Sequence, residues 1–131
     1  MRSKEPAAVK LTVSTSERDE VVVVTVSGEV DVYTASQLRS ALEDQIVAGR
    51  TALVVDLEDV GFIDSTGLGV LVGRLKTVRK AGGWLSVVCT NERILRLFGI
   101  TGLDKVLPVH DSIESAITAA GSELAAPDVI A

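Results

Sequence analysis

The 131-residue sequence predicts an α/β domain of the α+β type, a small mixed β-sheet of four to five strands with about four α-helices packed on it. Three observations carry that prediction. Two β-rich runs near the start are separated only by a short polar stretch, which is a hairpin pattern. After them, segments of helical period alternate with short apolar runs, as when helices connect strands. Hydrophobic residues make up 47% of the chain and aromatics only 3%, so a sizeable core is available and aliphatic side chains must fill it. The length suits one domain, which we place at residues 9–121, with flexible ends at 1–8 and 122–131.

The elements follow in order. Val9, Leu11 and Val13 alternate with Lys10, Thr12 and Ser14, the period of a half-buried strand. TSERDE (15–20) reads as a polar turn, and the β-branched VVVVTV (21–26) as a second, more buried strand. SGEVD follows as a loop. Thr34 and Gln37 have capping-box spacing, so a helix starts at Thr34, with Ala35, Leu38, Leu42 and Ile46 inward and Gly49 as its stop. LVVDL (53–57) is a short central strand. Ser65 to Lys80 has helical period and ends at Gly82 and Gly83. WLSVVC (84–89) is another buried strand. Asn91 caps a short helix that ends at Phe98, with Gly99 as its stop. Lys105 to Val109, which contains Pro108, reads as an edge strand. Asp111 and Glu114 open a last helix with Ile113, Ala116, Ile117 and Ala120 inward.

Charge and composition remove several function classes. A net charge of −5 and a pI near 4.8 argue against binding a phosphate backbone directly. One cysteine permits no internal disulfide and suits a reducing compartment. No apolar run is long enough to span a membrane, and MRSKEPAAVK lacks the apolar region of a signal peptide, so a cytoplasmic protein is expected.

The stretch GFIDSTGLG (61–69) sets two hydroxyls at a strand-to-helix junction. On the helical wheel Leu68, Leu71, Val72, Leu75 and Val78 share the sector that faces the sheet. Thr66, Gly69, Val70, Gly73 and Thr77 fall on the other side. Glycines in a helix cost about 1 kcal/mol each relative to alanine. They serve either close packing inside the domain or a smooth surface on which a partner lies. The inward sector is complete without them, which favours the partner.

Ser65 is open to three readings. As a helix cap, Asp64 or Ser65 would contribute about 1 kcal/mol, but three adjacent cap-forming residues, Asp64, Ser65 and Thr66, exceed what one cap requires. As a nucleophile Ser65 lacks the G-x-S-x-G context, and the only histidine, His110, falls near a predicted strand end. Gly67, Gly69 and Gly73 miss the dinucleotide spacing by one residue, no phosphate loop is present, and Cys89 and His110 are solitary as metal ligands. No catalytic residue, cofactor, metal or small-molecule substrate is therefore expected. The third reading is a target: an accessible serine at a helix N-terminus, modified by another protein.

These residues resemble a known family. VDLEDVGFIDSTGLGVLVGRLKTVRKAGG, SVVC, RLFGITGLDKV and the upstream GEVDVYTASQLRSAL look like the bacterial anti-sigma factor antagonists of the STAS domain family. The likeness runs from about residue 9 to 120. It implies a small mixed sheet with about four helices. It also implies that Ser65 is phosphorylated by an anti-sigma factor that is itself a serine kinase, and that a PP2C-type phosphatase restores it. The unphosphorylated form would bind the anti-sigma factor and free a sigma factor. Asp31 and Asp64 match acidic positions of the family near the interface, and Thr66 stands where a second serine is common. The partner face expected from all this comprises Asp31, Asp64, Ser65, Thr66, Gly67, Gly69, Val70 and Gly73. The alternative is a STAS-type scaffold or transport-complex subunit that binds partners without phosphorylation.

Overall fold

The computed structural model describes residues 11–125. Its elements are β1 (Thr12–Arg18), β2 (Val21–Val30), α1 (Ala35–Val47), β3 (Ala52–Ile63), α2 (Ser65–Lys80), β4 (Trp84–Val88), α3 (Glu92–Thr101), β5 (Val109–His110) and α4 (Ile113–Ala125). A short 3-10 turn at Leu103–Lys105 joins α3 to β5. The five strands form one sheet in the order β1-β2-β3-β4-β5. β1 runs antiparallel to β2, and the remaining pairs are parallel. This is the mixed sheet with four helices that the residue pattern predicts.

The valine run of β2 shows why its pattern is continuous and not alternating. Val22 and Val24 pack on the sheet face covered by α1, α2 and α3, together with Leu38, Leu42, Leu71, Leu75 and Phe98. Val21 and Val23 pack on the opposite face, against Ala116 and Ala120 of α4. A parallel strand covered on both sides has no polar face to show.

Several boundaries differ from expectation. β1 extends to Arg18, and the turn shrinks to Asp19 and Glu20, because Arg18 still pairs with Val21. Its polar side chains are tolerated because β1 is an exposed edge. β2 continues through SGEVD as far as Val30, and β3 runs to Ile63 instead of Leu57. Irregular register between Thr25 and Ser27, and again between Gly28 and Glu29, interrupts the period of two and hides the extension. Gly28, at φ 114°, adopts a backbone that side-chain-bearing residues resist.

The capping box at Thr34 and Gln37 does not form: Thr34 makes no side-chain cap, and Gln37 Nε2 donates to the Leu11 carbonyl instead. α3 passes through Gly99 and stops at Gly102, whose left-handed φ of 75° closes the helix. Of the expected edge strand Lys105 to Val109 only Val109 lies in β5, which continues one residue past it to His110, while Leu107 is buried in the core. Ser112, not Asp111, accepts the N–H of Ser115 at the start of α4. α4 continues to Ala125, four residues into the segment read as a tail. Residues 1–10 and 126–131, including Val9 and most of both expected flexible ends, lie outside the described residues.

Candidate functional site

Two neighbouring parallel strands build the site. β2 and β3 end side by side, with Val30 opposite Ile63. The Asp64 N–H donates to the Val30 carbonyl at 3.0 Å, which ties the end of one strand to the exit of the next. α2 begins directly after this tie, so Ser65 and the turn that follows β2 emerge at the same edge of the domain.

Asp64 is the N-cap. Its backbone is extended, and one carboxylate oxygen accepts from Thr66 N at 2.9 Å and Gly67 N at 3.1 Å. The cap question is thereby answered in favour of Asp64. Ser65 is exposed, and among the described residues its hydroxyl takes no hydrogen-bond partner. Thr66 is exposed beside it. Asp64→Ala should lower stability by about 1 kcal/mol in urea unfolding, because two first-turn N–H groups lose their acceptor.

α2 places the remaining predicted residues unequally. Leu68, Leu71, Leu75 and Val78 are buried as expected, while Val72 is only half-buried. Gly69 is exposed and Gly73 half-buried, and a Cβ on either would meet nothing within 4 Å. Gly67 must be moved from the partner face to the core. It is buried, and a Cβ there would lie 2.5 Å from Val30 Cγ1 and 2.7 Å from Ile63 Cγ1. Val70 is half-buried against the core instead of standing free on the outward side. The same flank of α2 is bound to α1 by the Arg74–Glu43 ion pair. α1 thus covers part of the surface that a helical wheel assigns to solvent.

Asp31 is half-buried, and one oxygen of its carboxylate is taken up by its own turn. That oxygen accepts from Tyr33 N at 2.8 Å, Thr34 N at 3.0 Å and the Thr34 hydroxyl at 3.2 Å. Sequence reasoning missed three apolar residues at this end. Tyr33 is 86% exposed, Val32 63% and Phe62 46%. The available signal was a Val-Tyr pair between two turn-forming residues, Asp31 and Thr34, where a loop would ordinarily be polar.

The structure holds His110 away from Ser65. Val88 pairs with both Asp56 and His110, so His110 stands level with Asp56. Ile63 is seven positions further along β3, so roughly 20 Å separates the imidazole's strand position from the serine. A general base must reach within about 3 Å. Cys89 is buried, and that burial pushes its thiol above the ordinary range, with the nearby Glu58 carboxylate adding to the effect. Among the described residues no helix is long and apolar enough to cross a membrane.

The fold and site define a small recognition domain that presents an open serine at a helix start already capped by its neighbour. The comparisons with known proteins agree. The family model described as STAS domain matches residues 12–116. The anti-sigma-B factor antagonist of Bacillus subtilis is 38% identical over 109 residues, 83% of this chain and 99% of that protein. The anti-sigma-B factor antagonist of Staphylococcus aureus is 38% identical over 106 residues, 81% of this chain and 98% of that protein. A crystal structure of an anti-sigma factor antagonist from Mycobacterium paratuberculosis superposes with a TM-score of 0.80 at 35% identity, covering 86% of this chain and 95% of that one. The chain belongs to the STAS domain family, among its bacterial anti-sigma factor antagonists.

Proposed function

We propose that this domain is a binding switch thrown by phosphorylation of Ser65. Unphosphorylated, it binds an anti-sigma factor that is an ATP-using serine kinase, and the sigma factor held by that protein is released. Phosphorylation of Ser65 by the bound kinase ends the association, and a PP2C-type phosphatase removes the phosphate. The exchange takes place in the cytoplasm, with no direct contact to nucleic acid.

One observation carries this reading: Ser65 is exposed, and among the described residues its hydroxyl takes no hydrogen-bond partner, at a helix start that Asp64 already caps. A phosphate there gains little inside the domain, because the Thr66 and Gly67 N–H groups are occupied by Asp64. It adds roughly −1.5 to −2 charges beside an existing carboxylate. The fold is left intact, and a partner lying over Ser65 meets charge it cannot neutralise.

The test is phosphate mapping. Incubated with its anti-sigma factor and ATP, the protein should gain one phosphate, on Ser65, and Ser65→Ala should gain none. Label that persists in Ser65→Ala overturns the assignment. A scaffold that works without phosphorylation would take up no label at all.

A further inference from the structure

Beside Ser65 the chain exposes two large apolar side chains where a solvent-facing turn needs none. Tyr33 and Val32 are 86% and 63% exposed, although the turn that carries them is tightly built. The Thr34 hydroxyl donates to the Glu29 carbonyl at 2.7 Å and accepts from Asp31 N at 3.0 Å. The Asp31 carboxylate accepts from Tyr33 N, Thr34 N and the Thr34 hydroxyl. Val30, the preceding residue, is fully buried and tied through its carbonyl to Asp64 N. Four hydrogen bonds, with the Asp31 carboxylate competing at longer range for the one Thr34 hydroxyl proton, therefore hold a two-residue apolar tip in one conformation, and the Asp64–Val30 tie joins it to the start of α2.

We infer that Val32 and Tyr33 are the apolar anchor of the partner interface, and that Thr34 is the positioning residue that presents them. The occupant is the same anti-sigma factor whose binding Ser65 controls, and it offers an apolar socket next to the surface over Ser65. This rests on the switch reading, because it is the tie between Asp64 and Val30 that makes the two surfaces continuous. A lipid surface is a poorer occupant, since Glu29, Asp31 and Asp64 at this edge repel anionic headgroups. An exposed tyrosine held by its backbone suits an anchor: it supplies large area with few bonds to freeze on binding. The division of labour follows. The anchor supplies affinity in both states, and the charge on Ser65 decides whether the anchored complex can close.

The test uses the full chain and the anti-sigma factor that co-purifies with the Ser65→Ala form, measured by calorimetry. Tyr33→Ala should weaken binding by about tenfold or more. Thr34→Val, which keeps the shape and removes the hydroxyl, should weaken it by a similar factor while the melting point moves by only a few degrees. Thr34→Ser should restore affinity to within about twofold of wild type, which a purely steric role for Thr34 would not produce. Binding of Tyr33→Ala and Thr34→Val at wild-type strength overturns the anchor. So does a self-associated form of the free protein that Tyr33→Ala dissolves, because the turn would then belong to a second copy. Should Thr34→Val unfold, Tyr33→Ala decides alone, its side chain being too exposed to support the fold. Ser65→Asp, run alongside, separates the two ideas: full binding by that variant sinks the switch but leaves the Tyr33 result to judge the anchor.

Discussion

Ser65→Asp is expected to lower affinity for the anti-sigma factor at least about 100-fold, close to 3 kcal/mol, with little change in thermal stability. The position explains both halves. Ser65 begins α2 and is exposed, so a carboxylate there displaces no packing. Helix N-termini favour negative charge by about 0.3–1 kcal/mol, while the adjacent Asp64 opposes it. The net effect on folding should stay within about 1 kcal/mol. At the interface nothing offsets the added charge, because the first-turn N–H groups that could solvate it already serve Asp64. Burying it against a partner costs several kcal/mol. Calorimetry against the partner and a thermal melt of the free variant check the two halves separately. A variant that binds like wild type, or fails to bind only because it is unfolded, defeats the local mechanism.

Gly67→Ala should destabilise the domain by about 1–3 kcal/mol, whereas Gly73→Ala should stabilise it by about 0.5–1 kcal/mol. Alanine favours a helix at both sites, so the contrast isolates packing. At Gly67 the new methyl would lie 2.5 Å from Val30 Cγ1, and Val30 is itself fully buried between β3 and the start of α2. Relief requires Val30 or Ile63 to shift, and both anchor the strand ends that carry the site. At Gly73 nothing lies within 4 Å of the added atom. Urea unfolding of both variants measures the difference. A bulky residue at Gly73 should leave the fold sound and still cut affinity for the partner, by obstructing the outward face of α2. Equal stabilities for the two alanine variants would mean that Gly67 is not packed as described.

What the residues determined by themselves was local. The helical period from Ser65 to Lys80, the inward row of Leu68, Leu71, Leu75 and Val78, and the Asn91 cap of α3 depend on neighbours within one or two turns, and all were readable. So was the α/β class, since hairpin, strand and helix signals follow one another along the chain. The likeness around DSTG and GEVD brought Asp31 and Ser65 into one argument, and β2 and β3 ending side by side bring them to one edge.

Only the tertiary structure decided which atoms do what there. Asp64 and Ser65 are equally good caps by composition, and the extended backbone set by the Val30 tie gives the role to Asp64 and frees Ser65. Thr34 was a helix cap by spacing, yet its hydroxyl finds the Glu29 carbonyl and the Asp31 N–H in the turn before the helix. The wheel turns Gly67 toward Leu71 and Val78 and Gly73 away from them, and the fold makes the difference absolute: Val30 of β2 and Ile63 at the end of β3 close over Gly67, while nothing lies within 4 Å of a Cβ on Gly73. Val70 was outward until α1 packed beside it. β3 reached Ile63 because β2 pairs with it through irregular register that no period of two reveals. For Asp64, Gly67, Val70 and β3 a deciding contact joins segments distant along the chain, and periodicity and spacing carry no record of such contacts; for Thr34 the contact is local but depends on a turn geometry that spacing does not specify.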